Sequence, residues 1–196
     1  MSEPLARTAR AQLPTRWGAF EVVAFRAPSG AEHLAILKGD LAGRDVLARV
    51  HSSCLTGDVL GSARCDCGPQ LDLALARIEA EGRGVVVYLQ QEGRGIGLFN
   101  KIRAYHEQDR GANTLEANLN LGLPADARRY DEAADILRAL DVASVRLMTN
   151  NPAKVAALES HGIRVVARLP HIAGENDANR FYLETKRDLM GHLLQA

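Results

Sequence analysis

The sequence predicts a mixed α+β fold: a single domain with a mostly mixed or antiparallel β-sheet core flanked by helices. Apolar runs of strand length come first along the chain, and helical patterns then alternate with further strand-like runs. The 196 residues are 46% hydrophobic and 24% charged, which is typical of one globular domain. We therefore expect one domain over residues 1–196, with residues 1–10 as a flexible tail.

Four apolar runs in the first half of the chain have the length and composition of strands. They are "GAFEVVAF" (18–25), "HLAILKGD" (33–40), "VLARVH" (46–51) and "VVVYL" (85–89). Between the third and fourth runs, "QLDLALARIEAEGRG" has apolar residues at helical spacing and ends in glycines. This segment predicts a helix over residues 70–81.

The second half of the chain is predicted to alternate helices with strands. Helices are expected at 98–108, at 130–140 and from Pro152, which suits a first helical turn, to about residue 161. "SVRLMTNNP" predicts a strand that ends in a polar turn, and "IRVVARL" predicts the last strand. "RFYLETKRDLMGHLL" predicts the last helix.

Three polar segments each follow an apolar strand-like run, namely "HSSC", "QQEGRG" and "TNNPAK". In open sheets with helical crossovers, ligands bind beyond the carboxyl ends of the strands. We therefore predict that the three loops converge on one site. The alternative is that these loops are polar only because loops lie at the surface.

The charge balance and the hydropathy pattern exclude several classes of partner. Lys and Arg number 24, as do Asp and Glu, so no bulk charge attracts nucleic acid or an anionic membrane. No segment has the apolar length of a signal peptide core or a membrane span. We expect a cytoplasmic protein without nucleic-acid or membrane partners, in which cysteines stay reduced.

The chain's three cysteines, Cys54, Cys65 and Cys67, lie within one short stretch. Cys65 and Cys67 can direct their thiolates to the same side of an extended segment, and the intervening loop lets Cys54 reach them. Three protein ligands and an open fourth position are typical of catalytic zinc, whereas structural zinc has four ligands. His51 could supply the fourth ligand of a closed site, and three cysteines without metal are the remaining alternative.

Basic residues in the same loops are candidates for binding a phosphorylated substrate. Arg49, Arg94 and Lys154 could bind anions, and the glycines beside Arg94 would let backbone amides approach phosphate oxygens. Glu92 could serve a cation or the edge of a base. Each arginine taken alone is more typical of a solvated surface. Likewise, Asp126 could simply be a helix N-cap, followed by Arg128 as a surface residue.

Taken together, several motifs resemble the GTP cyclohydrolase II family from about residue 11 to the end of the chain. They are "RVHSSCLTGD", "RCDCG", "QEGRGIGL", "NKIRAY", "TLEAN", "LGLPADARRY", "TNNPAK" and "TKRDLMGHLL". The resemblance implies one catalytic Zn²⁺ per subunit, held by the three cysteines, that activates water for attack at C8 of guanine. It also implies release of formate and pyrophosphate from GTP, Mg²⁺ on the triphosphate and a homodimer.

The resemblance further assigns roles to individual residues. It implies that Arg128 is a nucleophile at the α-phosphorus and that Asp126 accepts its proton, although arginine more commonly stabilises phosphate charge. Tyr105 matches a tyrosine beside the reactive water, while its alternative is a half-buried core residue. The implied GTP contacts are Arg49, Val50, His51, Ser52, Ser53, Gln70, Glu92, Gly93, Arg94, Thr114, Thr149 and Lys154.

Two positions depart from the family pattern. Ser53 stands where the family commonly has glutamate, and Gln90 stands where it commonly has arginine. Both can still form hydrogen bonds, so we expect altered affinity or rate with the same reaction. Two alternatives remain open: a paralogue that opens the guanine ring to a different product, and a non-catalytic nucleotide-binding protein with structural zinc.

Overall fold

The computed structural model describes residues 5–194, and within that range eight strands form one sheet. The strands are β1 (Ala6–Arg7), β2 (Ala11–Thr15), β3 (Gly18–Arg26), β4 (Glu32–Lys38), β5 (Val46–Ser52), β6 (Gly84–Leu89), β7 (Ser144–Met148) and β8 (Arg164–Leu169). The helices are α1 (Cys67–Glu81), α2 (Gly97–Asp109), α3 (Thr114–Asn120), α4 (Asp131–Ala139), α5 (Pro152–Ser160) and α6 (Arg180–Met190). The predicted α+β class is confirmed.

The sheet has an antiparallel half and a parallel half. Its strand order is β1-β3-β4-β6-β5-β7-β8, and β2 also pairs with β3. The pairs β3–β4 and β4–β6 are antiparallel, whereas β5 lies between β6 and β7 and runs parallel to both. β5, β6 and β7 therefore end at the same edge of the sheet, which places the loops that follow them side by side.

Helices cover both faces of the central strands. On one face, Leu137 of α4 and Leu158 of α5 belong to the same buried cluster as Val50 and Val87. On the other face, Ile78 of α1 packs in a second cluster, which includes Leu47 and Val86. Because both faces of β5 and β6 are buried, these strands read as continuous apolar runs.

Several elements differ from the sequence prediction. β2 contains Pro14 and is largely exposed at the sheet edge, so it lacks the buried alternation by which strands are recognised. α3 begins with a capping box between Asn113 and Glu116, a signal that the prediction missed. α6 ends at Met190 because Gly191 adopts a left-handed conformation with φ 65°, so it is shorter than the predicted helix.

The N-terminal segment that was expected to be flexible is described only in part. Residues 1–4 lie outside the described range, and Ala6–Arg7 pair with the end of β3. Among residues 5–194, none of the helices has both the length and the apolar character needed to cross a membrane.

Candidate active site

The three polar loops meet around one cavity at the shared edge of β5, β6 and β7, which confirms the predicted convergence. Most of the predicted site residues line this cavity. They are Arg49, His51, Ser52, Ser53, Cys54, Cys65, Cys67, Gln70, Glu92, Gly93, Arg94, Tyr105, Thr114, Arg128, Thr149 and Lys154.

Val50 and Asp126 are predicted site residues that do not line the cavity. The side chain of Val50 lies in the core, but its carbonyl oxygen accepts a hydrogen bond from Lys154 Nζ at 2.8 Å. Asp126 lies behind Arg128 and pairs with it. Gln90, the second departure from the family pattern, is exposed and borders a separate cavity.

The three cysteines form a cluster with the geometry of a metal site. Their Sγ atoms all lie within 4.8 Å of one another, and those of Cys54 and Cys65 are 3.7 Å apart. Three thiolates are a ligand set that suits Zn²⁺, which binds sulfur at about 2.3 Å. His51 is not part of this cluster of ligand atoms. Its Nε2 lies 3.1 Å from Asp58 Oδ1 instead. The residues therefore fit a zinc ion held by three sulfurs.

Two glycines allow the cluster to form. Gly57 lies in a single π-helical turn, Leu55–Val59, which is capped by Cys54 and packs against the start of α1. A Cβ atom on Gly57 would lie 2.8 Å from Cys65 Sγ, and one on Gly68 would lie 2.4 Å from the carbonyl oxygen of Gly57. Side chains at these two positions would force the sulfur-bearing segments apart.

Asp58 fixes the segment that carries Cys54. Its carboxylate accepts hydrogen bonds from the backbone N–H of Cys54 at 3.0 Å and from the Tyr88 hydroxyl at 2.8 Å. Burial lowers the pKa of His51, so this side chain is neutral and donates its Nε2–H to Asp58. His51 Nδ1 is left buried as an acceptor without a partner among the described residues.

Lys101 is a cavity residue that the sequence analysis did not single out, although it lies inside the quoted motif "NKIRAY". Its Nζ lies 3.1 Å from Cys54 Sγ and 2.7 Å from Glu92 Oε1. Burial opposes the charge, but hydrogen bonds to Glu92 and Cys54 outweigh it and raise the pKa of Lys101. A fixed ammonium therefore offsets part of the negative charge of the sulfur cluster.

Tyr105 lies beside the cysteine cluster. Its hydroxyl is 3.0 Å from Thr56 Oγ1, which in turn is 3.6 Å from Cys54 Sγ. Burial raises the pKa of Tyr105, so the phenol stays protonated and can donate a hydrogen bond. The structure therefore places Tyr105 at the site and not in a purely structural core.

Several basic side chains also line the cavity. Arg49 donates to the carbonyl oxygen of Met148 at 2.8 Å, and burial followed by repulsion from Arg49 and Arg128 lowers the pKa of Lys154 well below its usual value. Both terminal nitrogens of Arg94 are buried without a partner among the described residues, on a backbone with the left-handed φ of 60°. A group of buried cations with free donors is an anion-binding arrangement.

Arg128 is held by Asp126. Its Nε lies 2.9 Å from Asp126 Oδ1, while its Nη1 makes no hydrogen bond to a described residue. Burial disfavours the charge, but the Asp126 carboxylate outweighs it and raises the pKa of Arg128. The loop is tied to the Arg94 loop by the hydrogen bond from Ala127 N–H to the Arg94 carbonyl at 3.0 Å. Asp126 is not a helix N-cap, because α4 begins only at Asp131.

Other cavity residues lie in quoted motifs or in the last predicted helix but were not predicted as site residues, because a motif does not indicate which of its side chains face the site. Asp66 lies between two of the cysteines, and further side chains come from the loop after β7 and from the C-terminal segment. They include Asn150, Asn151, Tyr182, Lys186 and His192. The motif "TKRDLMGHLL" contained two of these residues, but its helical pattern did not indicate which of its side chains face the site.

Comparison with known proteins agrees with this geometry. A family model described as GTP cyclohydrolase II matches residues 6–170. GTP cyclohydrolase-2 of Neisseria meningitidis serogroup A is 54% identical over 195 residues, which is 99% of each chain. Riboflavin biosynthesis protein RibBA of Salinispora arenicola is 57% identical over 95% of this chain, which spans 45% of that protein.

A more distant likeness is to the crystal structure of RibBX, a two-domain 3,4-dihydroxy-2-butanone 4-phosphate synthase from A. baumannii. It covers 86% of this chain and 40% of that chain, with 21% identity and a TM-score of 0.45. A likeness this distant does not bear on function.

We predict that Gly57→Ala weakens zinc binding by about tenfold or more, because the added methyl group would displace the sulfur of Cys65. The measurement is competition for zinc with a chromogenic chelator. Gly61→Asn is the matched control, since Gly61 has open space around it and asparagine tolerates its left-handed backbone. Zinc affinity of Gly57→Ala equal to that of the control would contradict the packing argument.

Proposed function

Because this chain belongs to the GTP cyclohydrolase II family, whose members hydrolyse GTP in riboflavin biosynthesis, we propose that it catalyses the first step of that pathway with zinc. The products proposed are 2,5-diamino-6-(5-phosphoribosylamino)pyrimidin-4-one, formate and pyrophosphate. One observation carries this proposal: a three-sulfur cluster and a wall of cations share a single cavity.

Cys54, Cys65 and Cys67 would hold the zinc ion, one per subunit. When bound, zinc supplies Lewis acidity that activates water for attack at C8 of guanine. The chain's own residues prepare this part of the cavity: Lys101 balances the sulfur charge, and Asp58 fixes the Cys54 segment. The hydroxyl of Tyr105 is available to orient the water or the opening ring through a hydrogen bond.

The cationic wall would bind the triphosphate. The free donors of Arg94 suit phosphate oxygens, and Arg49 adds positive charge from β5. Burial and neighbouring cations disfavour charge on Lys154, and a bound phosphate would restore it. Mg²⁺ bound to the triphosphate would neutralise further charge and orient pyrophosphate as a leaving group. Gln70, Thr114 and Thr149 are proposed as further polar contacts with GTP.

For Arg128 the ion pair with Asp126 favours charge stabilisation over nucleophilic attack. A guanidinium becomes nucleophilic only when it loses a proton, and the raised pKa of Arg128 opposes that loss. Its Nη1 retains free donors for a phosphate oxygen. We therefore propose that Arg128 stabilises charge on the departing phosphates and that Asp126 positions it. A covalent guanylyl-enzyme is the alternative.

We also propose that residues 1–196 form one domain that acts as a cytoplasmic homodimer. A reducing compartment suits the three free cysteines. One specific observation keeps the paralogue with a different product as a second candidate. The hydroxyl of Ser53 lies buried at the cavity without a partner among the described residues, at the position where the family commonly has a carboxylate.

The test of the proposed function is product analysis after incubation with GTP, Mg²⁺ and Zn²⁺. We expect formate, pyrophosphate and the diaminopyrimidine in equal amounts, and we expect Cys65→Ser to lose both zinc and ring opening. Zinc without GTP turnover would favour a binding protein, and formate without the usual pyrimidine would favour the paralogue. Full formate release by Cys65→Ser would refute the ligand assignment.

We predict that Tyr105→Phe slows formate release by about 100-fold and slows pyrophosphate release much less, because the hydroxyl lies at the sulfur end of the cavity. Rapid-quench measurement of both products provides the comparison within one sample. Equal slowing of the two steps would argue that Tyr105 acts on substrate binding as a whole.

We predict that Arg128→Ala reduces pyrophosphate release by at least about 100-fold, since a preorganised donor to the leaving phosphates is lost. The wild-type protein, denatured during turnover of α-³²P-labelled GTP, should carry no covalent label. A labelled protein would instead establish Arg128 as the nucleophile, provided that Arg128→Ala abolishes the label. Unchanged pyrophosphate kinetics in Arg128→Ala would exclude both roles.

A further inference from the structure

The C-terminal segment, residues 171–194, forms part of the cavity although the family model ends at residue 170. Helix α6 contributes Tyr182 and Lys186, and the following residues contribute His192. The segment is held against the loop after β7, where the backbone N–H of Leu193 donates to the carbonyl oxygen of Asn150 at 2.8 Å. Residues beyond the range matched by the family model therefore form part of the cavity wall.

The ring of Tyr182 lies close to two cations. The guanidinium carbon of Arg94 is 5.7 Å from the ring centre, and Nζ of Lys186 is 4.4 Å from it. Burial raises the pKa of Tyr182 to about 12, so the ring remains a neutral phenol. An aromatic face attracts cations at these distances, and it does so without occupying their hydrogen-bond donors.

This packing explains how Arg94 can keep both terminal nitrogens free. Neither nitrogen has a hydrogen-bond partner among the described residues, although both are buried. An unpartnered buried guanidinium is costly unless another interaction holds it and a ligand completes its hydrogen bonds. The Tyr182 ring supplies the first of these, and an anion in the cavity would supply the second.

Lys186 anchors the helix that carries the ring. Its Nζ is 2.6 Å from Oδ1 of the buried Asp66, whose Oδ2 accepts a hydrogen bond from Gln70 Nε2 at 2.6 Å. Asp66 lies between Cys65 and Cys67 in the sequence, so the ion pair joins α6 to the segment that carries two of the cysteines. The position of Tyr182 along α6 is thereby set relative to the cavity.

We propose that Tyr182 and Lys186 are positioning residues for the phosphates of the substrate. Tyr182 orients the guanidinium of Arg94 towards the anion, and Lys186 holds Tyr182 in place through Asp66. The identity of the anion as the triphosphate of GTP rests on the proposed function. The orienting role itself rests on the contacts among Arg94, Tyr182 and Lys186.

The test is the affinity of the zinc-loaded protein for magnesium pyrophosphate, measured by calorimetry. We expect Tyr182→Leu to bind this probe about tenfold more weakly, because the cation–π contact with Arg94 is lost. Tyr182→Phe should bind it like the wild type, since the ring and not the hydroxyl makes the contact. Phe181→Leu is the matched control, as Phe181 is exposed on the same helix and outside the cavity.

Two further measurements separate positioning from a merely structural role. Tyr182→Leu should raise the KM for GTP by a similar factor while leaving kcat and zinc content near wild type. Lys186→Met should weaken pyrophosphate binding in the same direction and retain zinc. Unchanged pyrophosphate affinity in Tyr182→Leu, or equal weakening in Tyr182→Phe, would overturn the proposal.

The outcome for the proposed function can be read independently. In one outcome the wild type binds pyrophosphate, Tyr182→Leu binds it more weakly, and the wild type releases no formate from GTP. This result would refute the proposed reaction and support the positioning role. Normal GTP turnover with no effect of Tyr182→Leu on KM or on pyrophosphate affinity would refute only the positioning role.

Discussion

The site depends on one electrostatic constraint: charges of both signs are buried in a single cavity, and neither group is balanced by the protein alone. Around the cysteine cluster, three sulfur atoms and Glu92 are offset only in part by Lys101. Elsewhere in the cavity wall Arg94 lies among further cations, and repulsion from Arg49 and Arg128 adds to burial in disfavouring charge on Lys154. A metal ion at the sulfurs and an anion at the arginines would each supply the missing opposite charge.

The sheet supplies the backbone carbonyls that hold two of the basic side chains. Lys154 is held by the carbonyl oxygen of Val50 at the end of β5, and Arg49 by that of Met148 at the end of β7. These carbonyls belong to strands that are buried on both faces, so they cannot move away to relieve repulsion between the cations. The buried core therefore fixes the backbone acceptors that hold Lys154 and Arg49 in the cavity wall.

Much of this site could be predicted from the sequence, because its loops follow strands that are recognisable by their apolar runs. The cysteine cluster could also be predicted, because three cysteines within one short span are typical of a metal site. Lys101, Tyr182 and Lys186 were not found, because a helical pattern gives spacing but not the contact that a particular side chain makes. Val50 was predicted as a site residue because it lies inside a matching motif. In the fold its side chain lies in the core, and only its carbonyl oxygen contacts a site residue, Lys154.

The short turn Glu92–Gly95 carries two side chains of the cavity wall that make different contacts. Glu92 contacts Lys101 and the backbone N–H of Leu55 on the sulfur side, whereas Arg94, two residues later, packs on Tyr182. Left-handed backbone at both Gly93 and Arg94 sets the directions in which the side chains of Glu92 and Arg94 leave the turn. One strained turn therefore carries a contact to the cysteine cluster through Lys101 and a contact to helix α6 through Tyr182. Because both contacts depend on the same few residues, a change in the turn would disturb the metal site and the arginine together.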